Sequence, residues 1–312
     1  MELICGMHNL QPRHYGCVLS IGNFDGFHRG HQALIAALQT EGRRRSLPVM
    51  VMIFEPQPQE YFAGDTAPAR LTRLRDKIKY LSAAGVEVVI CVTFDKRFSA
   101  LSASAFVTDV LVKKMGVSFI GVGDDFRFGA RQQGDYAMLQ RLGKATGFEV
   151  MSTITYTEGG RRISSTAVRE ALAQDRLVEA EMLLGHPYRL SGRVVHGDAL
   201  GRTIGFPTAN VSLKGRQAPI NGLYAVRVYG ISAKPLPGIA NIGTCPTVAG
   251  LRQRLEVHLL DVAMNLYGRH IEVIIHEKVR NEKRFASLDD LKRQIINDVV
   301  SARDYFRLVS LQ

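Results

Sequence analysis

Cysteine is scarce. Four cysteines, at 5, 17, 91 and 245, stand in 312 residues, and no two form a CxxC pair. Neither a disulfide framework nor a thiolate zinc site is expected, and such scattered thiols fit a reduced, cytoplasmic protein. Long apolar runs are missing as well. None approaches the roughly 18–20 residues that span a bilayer, so no membrane partner is expected. Met1 to Leu10 has no basic stretch followed by an apolar one, and no secretory leader is expected. No internal repeat or low-complexity segment is visible. The GxxxxGK[ST] order of a Walker A loop is absent.

What is present is an ordinary globular composition: 46% apolar and 22% charged, with 29 glycines and 11 prolines. That excludes disordered and fibrous classes. The length suits two domains. The net charge of +11 is uneven. Residues 1–185 hold 22 basic and 19 acidic side chains, net +3; residues 186–312 hold 18 and 10, net +8. A basic half points to an anionic partner without choosing among nucleic acid, membrane and phosphorylated ligand.

Periodicity divides the chain near residue 185. Before it, apolar runs (17–21, 49–54, 86–94, 118–122, 148–154) alternate with helical patterns (31–39, 71–84, 103–114, 136–146, 165–174, 177–184). This alternation predicts a Rossmann-like α/β domain with a parallel sheet, whose ligands bind at the carboxyl ends of the strands. After Gly185-His186-Pro187 the segments are short and separated by Gly/Pro turns: 188–195, 209–213, 224–229, 236–242, 255–260 and 270–279. They predict an antiparallel β-barrel or sandwich. A terminal helix over 288–306 follows, with Ser287 as its N-cap and Asp289 and Asp290 in its first turn.

Two stretches carry chemistry in the first half. Gly22-Asn23-Phe24-Asp-Gly-Phe-His28-Arg-Gly-His31 follows an apolar run and opens a helix. Its glycines let backbone approach a phosphate, and the helix N-terminus offers free N–H groups. His28 and His31, three apart, share a face and can donate hydrogen bonds to phosphate oxygens as charge develops there. Surface or metal-binding histidines are the alternative, weakened by the lack of a third ligand at metal spacing. Ile163-Ser164-Ser165-Thr166-Ala-Val-Arg169 opens another helix, with Arg169 one turn on. It reads as an anion clamp or as an ordinary capped helix.

In the second half, Gly192, Gly197, Gly201 and Gly205 punctuate a polar, basic loop that ends in Pro207-Thr208-Ala-Asn210. Such a backbone can cradle phosphate. Thr208 and Asn210 point the same way on an extended segment, and their oxygens suit Mg²⁺. A structural turn is the plainer alternative. Glu256 lies on the alternating run 255–260, opposite in facing to Val257 and Leu259. It reads as a proton acceptor for a substrate hydroxyl or as a solvated carboxylate.

Strand–HxGH–helix plus Ser-Ser-Thr-x-x-Arg resembles the nucleotidylyltransferase superfamily. Gly22–Gly26, Phe54-Glu-Pro56-Gln-Pro58, Gly123-Asp-Asp125-Phe126-Arg-Phe128-Gly129 and Arg131–Asp135 add a closer likeness, to the FMN adenylyltransferase module of bacterial bifunctional riboflavin kinase/FAD synthetases. Leu184-Gly-His-Pro-Tyr188, Gly205–Asn210, Asn241-Ile-Gly-Thr-Cys245-Pro-Thr247, Leu255–Asp261, Leu266-Tyr-Gly268 and Arg280-Asn-Glu282-Lys-Arg-Phe285 resemble its riboflavin kinase module. The strings occur in the family's order and cover nearly the whole chain. Domains at 1–185 and 186–312 are then expected. The resemblance implies that His28 and His31 stabilise the α-phosphate of ATP. It implies that Ser164, Ser165, Thr166 and Arg169 hold the β- and γ-phosphates, and that Gly22, Asn23 and Phe24 belong to the same ATP site. Phe54, Pro56, Pro58, Asp125, Phe126 and Phe128 would hold the flavin. In the kinase module it implies ATP at Gly197, Gly201, Gly205, Thr208 and Asn210, with Mg²⁺ on Thr208 and Asn210. Glu256 would be the general base beside a flavin held by Arg280, Glu282 and Phe285. ATP, riboflavin, FMN and FAD are the implied substrates and products, with no nucleic-acid partner. Phe27 stands where a smaller aliphatic residue is usual, and Cys245 where arginine is usual. The competing reading, an RNA-binding barrel beside a degenerate nucleotide domain, lacks the exposed aromatics among basic residues that base stacking needs.

Overall fold

Aliphatic runs with both faces covered make the first sheet. The structure is a computed structural model that describes residues 1–153, 157–158, 161–197, 200–214, 217–247, 250–262 and 264–309. Strands β1 (Glu2–Cys5), β2 (Cys17–Ile21), β3 (Val49–Glu55), β4 (Val88–Thr93), β5 (Val117–Gly123) and β6 (Glu149–Thr153) form one sheet in the order β1-β4-β3-β2-β5-β6. Every pairing in it is parallel. Helices α1 (Arg29–Arg45), α2 (Pro58–Ala63), α3 (Leu74–Ala83), α4 (Lys96–Ser99), α5 (Ala103–Ala105) and α6 (Tyr136–Thr146) connect these strands, and α5 runs on as a π-helix over Phe106–Lys114. The expected α/β architecture is present. Two buried clusters, one built around Leu19, Met50 and Ile90 and the other around Val18, Val51 and Val89, cover the sheet.

Strand β1 escaped the periodicity reading. It is four residues long with one buried position, too short to register an alternation. Helix α1 is longer than its apolar face predicts. Its last turn is Arg43-Arg44-Arg45, basic groups that suit the negative end of the helix dipole, and Ser46 closes it in a left-handed conformation. The expected strand end at Ile154 lies outside the described residues.

A short hairpin, β7 (Thr157–Glu158) and β8 (Arg161–Arg162), precedes α7 (Ser165–Ala173) and α8 (Leu177–Leu184). Strands β9 (Arg189–Val195), β10 (Ala209–Val211), β11 (Gly222–Tyr229), β12 (Leu236–Thr247), β13 (Gly250–Leu259) and β14 (His270–Arg280) close into a barrel in the order β10-β13-β12-β11-β14-β9. Every pairing in it is antiparallel. A one-turn helix, α9 (Leu200–Thr203), interrupts the loop between β9 and β10. The terminal helix α10 (Leu288–Val309) lays Val299, Ala302 and Phe306 on Leu223, Ala225 and Ile239 of the barrel. Ser287 caps it as expected: its Oγ accepts from the Asp290 N–H at 3.1 Å.

The chain forms two compact units. The first is Met1–Pro68 with Leu74–Ser164; the second is Ala69–Arg73 with Ser165–Gln312. Helices α7 and α8 therefore group with the barrel. Asp175, between them, accepts the Tyr224 hydroxyl of β11 at 2.9 Å and pairs with the Lys278 ammonium of β14 at 2.5 Å. Arg73 donates to the carbonyls of Ser191 and Ser212, which explains why a five-residue piece of the first half groups with the second unit.

Candidate functional site

In the first unit, strand β2 is buried along its full length and delivers the chain to Gly22. The loop beyond it is tightly wound. Phe24 (φ 47°), Gly26 (φ 82°) and Phe27 (φ 44°) all take left-handed conformations. Two bulky residues in that region carry strain, offset here by burial, because Phe24 and Phe27 are only 1% and 4% exposed. Phe27 stacks on Tyr80 of α3 at 5.8 Å between centroids and lies 6.4 Å from the His31 ring. The residue that departs from the family pattern thus wedges α3 against the histidine loop.

His28 is the N-cap of α1. Its Nδ1 accepts the His31 backbone N–H at 3.4 Å. A nitrogen that accepts carries no proton, so the His28 donor is Nε2–H. The His28 and His31 rings stack at 3.6 Å and 18°. Gly30 permits this: a Cβ there would meet the His28 ring at 3.2 Å. His31 is half-buried, and its Nδ1 is enclosed with no hydrogen-bond partner among the described residues. Burial, then the neighbouring His28 and Lys77, hold its pKa well below the ordinary imidazole value.

Beside this loop lies a cleft of about 880 Å³. It brings together Gly22, Asn23, Phe54, Pro58, Asp125, Phe126 and Phe128, residues that are distant in sequence. Pro56, after a cis peptide bond, is absent from its lining, as are Phe24, His28 and His31. The lining also includes Arg127 and Arg131 of the motif strings, and residues that sequence reasoning missed: Phe62, Phe94, Phe98 and Phe106. Edge-on ring contacts run from Phe54 to Phe94 (5.6 Å), Phe94 to Phe98 (5.8 Å) and Phe98 to Phe106 (6.0 Å). Phe126 then stacks on Phe128 at 5.6 Å. Such a wall suits a flat aromatic ligand. The available signal was Phe94-Asp95 at a strand's carboxyl end. Asp124 and Asp125 pair with Arg162 at 3.0 and 2.7 Å, an exposed cluster.

Ser164 closes the first unit, while Ser165, Thr166 and Arg169 open α7 in the second. Arg169 Nε donates to the Ala69 carbonyl at 2.5 Å.

Barrel register organises the second site. Asn210 of β10, Glu256 of β13 and Asn241 of β12 stand side by side on one rung. Register continues the rung through Leu223 to Arg280. Residues directly opposite in antiparallel strands project from the same face. A cleft of about 320 Å³ is lined by Thr208, Asn241, Glu256, Arg280, Glu282 and Phe285 among others. Val257 and Leu259 are buried while Glu256 and His258 are part-exposed, the alternation expected for this strand. Arg280 clamps Asp298 of α10 through Nε (2.9 and 3.1 Å) and Nη2 (2.9 Å) and covers the Phe285 ring at 5.6 Å. Asp298 is 2% exposed, and nothing in the sequence marked it. His258 Nδ1–H donates to the Pro207 carbonyl at 2.9 Å, which fixes the approach to Thr208. Thr208 also lines a neighbouring cleft of about 550 Å³ with Arg202, Pro207, Met264 and Tyr267. Gly197 lies directly under the Asn210 amide, where a Cβ has no room, and a Cβ on Gly201 would meet the Phe206 carbonyl. The side chain of Cys245 lies outside the described residues.

Two family models match the chain in tandem: FAD synthetase over residues 10–167 and riboflavin kinase over residues 184–306. The chain is 64% identical over 309 residues to the bifunctional riboflavin kinase/FMN adenylyltransferase of Escherichia coli K12, covering 99% of both chains. The chain belongs to the bifunctional riboflavin kinase/FMN adenylyltransferase family. The Haemophilus influenzae member is 51% identical, covering 98% of this chain and 99% of that one. A solved Streptococcus pneumoniae structure, titled a macrolide-efflux protein, matches with a TM-score of 0.82 at 30% identity, over 97% of this chain and 99% of that one. Among the described residues, no helix is long and apolar enough to cross a membrane. Family membership makes this an enzyme of the transferase class, one module for each transfer.

Proposed function

We infer that residues 1–185 adenylate FMN with ATP, giving FAD and pyrophosphate, and that residues 186–312 phosphorylate riboflavin with ATP, giving FMN and ADP. The observation that carries this reading is convergence: Gly22, Asn23, Phe54, Pro58, Asp125, Phe126 and Phe128 line one cleft in the first unit, and Thr208, Glu256, Arg280, Glu282 and Phe285 line another in the second.

In adenylyl transfer, an FMN phosphate oxygen attacks the α-phosphorus of ATP and pyrophosphate leaves. No covalent enzyme intermediate is needed. His28 Nε2–H, His31 and the backbone at the start of α1 supply hydrogen bonds to the α-phosphate oxygens, where charge grows. The aromatic cleft takes the isoalloxazine ring, held by Phe54, Pro58, Phe126 and Phe128 with Asp125 at its rim. Pro56 is assigned to the same flavin loop, and Phe24 to the ATP site, from the motif alone. The assignment of Ser164, Ser165, Thr166 and Arg169 to the β- and γ-phosphates also rests on the motif.

In phosphoryl transfer, Glu256 accepts the proton of the ribityl 5′-hydroxyl as that oxygen attacks the γ-phosphorus and ADP leaves. Arg280, Glu282 and Phe285 border the same cleft and hold the flavin. The backbone at Gly197, Gly201 and Gly205 lines the ATP side. Thr208 and Asn210 offer hard oxygen donors, and the close approach of the Asn210 amide to Gly197 supports a phosphate-and-cation cradle there. When bound, Mg²⁺ would neutralise phosphate charge at these two residues. A cytoplasmic setting agrees with buried thiols of low reactivity, such as Cys17, whose pKa burial pushes up to about 12.

Separation of flavin products after incubation with riboflavin, ATP and Mg²⁺ tests the reading. His28→Ala should lower FAD formation roughly 10²–10³-fold while FMN accumulates. Glu256→Gln should lower FMN formation roughly 10²–10⁴-fold yet leave conversion of supplied FMN intact. Loss of both activities in either folded variant would contradict two independent sites.

A further inference from the structure

Lysine is rarely buried without a purpose, because removing an ammonium from water costs several kcal/mol. Lys77 is 0% exposed and its Nζ is enclosed. It lies at the centre of α3, between Leu74 and Tyr80, at helical spacing that puts the three on one face. Leu74 and Tyr80 both pack into the cluster that holds Phe24, Phe27 and Leu34, and Tyr80 stacks on Phe27. The face that carries Lys77 is therefore the face applied to the histidine loop. The sequence motifs left this residue aside.

His31 is arranged to stay uncharged. A second ring proton would have to go on Nδ1, which is enclosed without a hydrogen-bond partner among the described residues. A buried, unsatisfied donor is costly. The neutral ring then keeps its proton on Nε2, as His28 does. Positive charge on Lys77 strengthens that choice, since it opposes a second one on His31.

We propose that Lys77 is a positioning residue of the adenylyl-transfer site, its buried ammonium keeping His31 a neutral Nε2–H donor to phosphate. The proposal rests on reading His28 and His31 as the α-phosphate site. Ionisable groups on the elements packed around His31 are Asp25, His28 and Arg29 of its own segment and Arg75, Asp76, Lys77, Lys79 and Tyr80 of α3. Of these, His28 and Lys77 are the ones whose charge depresses the His31 pKa.

The test uses the full chain with Lys77→Met, Lys77→Gln and Lys77→Arg. NMR titration of the His31 Cε1–H resonance reads its pKa directly. Loss of the charge should raise that pKa by about half a pH unit, still below the ordinary value because burial and His28 remain. FAD formation should then fall about threefold on the acid side, with no change on the alkaline side and no change in KM for FMN. Lys77→Arg should restore the wild-type profile. An unchanged His31 pKa in a folded neutral variant overturns the proposal. So does unfolding of both neutral variants with Lys77→Arg intact, which would make the ammonium a purely structural group. His31→Ala separates the two claims: if it spares FAD formation, the phosphate-site reading fails, while the titration still reports the Lys77 coupling.

Discussion

Gly30 shows how narrow the tolerance is at single residues. It occupies the second position of a helix, where alanine is normally the better residue by about 1 kcal/mol. Yet a Cβ there would press on the His28 ring at 3.2 Å. Gly30→Ala should therefore leave the thermal midpoint unchanged or slightly raised and lower FAD formation about tenfold, with FMN formation as the internal control. The motif made His28 and His31 legible, because their spacing is local. It did not make Lys77 or Asp298 legible. Both are charged residues inside helices whose burial is decided by what packs against them, and sequence periodicity carries no record of a partner. Their positions in α3 and α10 look like ordinary solvated ones until the opposing loop or strand is in place.

At the level of elements, the strands and helices that bury a continuous face were readable, and their ends were not. Helices α6 and α8 run over the spans their patterns predict. Strands β12 and β13 extend well past their apolar cores, because ladder bonding continues through polar residues that have no hydrophobic signal. The 103–114 segment reads as one helix, but its backbone changes to the wider π pattern at Phe106. Contacts between elements give two predictions. Arg280 and the buried Asp298 latch α10 to β14. Lysine cannot reproduce that fork. Arg280→Lys should lower stability by about 1–3 kcal/mol in urea titration and raise KM for riboflavin. The second concerns acid. His276 of β14 faces Tyr305 and Phe306 of α10, and burial and then Arg227 depress its pKa below 6.5. Both states are neutral above pH 6.5. As pH falls below it, the unfolded chain gains a proton that the folded chain refuses, so stability drops until the folded pKa is passed. His276→Leu should flatten the fall in thermal midpoint as pH drops below about 6.5.

For the whole molecule, the division into an α/β half and an antiparallel β half was legible, since a period near 3.6 gives way to short, turn-bounded runs; closure into a barrel is seen only in the strand order. What belongs to which compact unit was not, because that depends on long-range polar ties. Family matches end at 167 and resume at 184, while the structure groups α7 and α8 with the barrel. Asp175 explains the grouping, since Tyr224 is fully buried and its hydroxyl donates there. A fragment of residues 165–312 should therefore be more stable than one of residues 186–312, by on the order of 2 kcal/mol in thermal or urea denaturation. Equal stability would show that the α7–α8 pair contributes nothing to the barrel.

The excursion of Ala69–Arg73 into the second unit also constrains the order of events on the ribosome. Arg73 must wait for partners 118 and 139 residues downstream. At bacterial-scale synthesis rates that is roughly 6–28 s after the arginine itself is made. Through that interval the loop between α2 and α3 is made but lacks its final ties. The first unit can assemble its sheet as it emerges, yet the chain is not closed until β9 and the segment after β10 arrive. Synthesis that stalls between them would leave a nascent chain with a finished sheet and one untied loop.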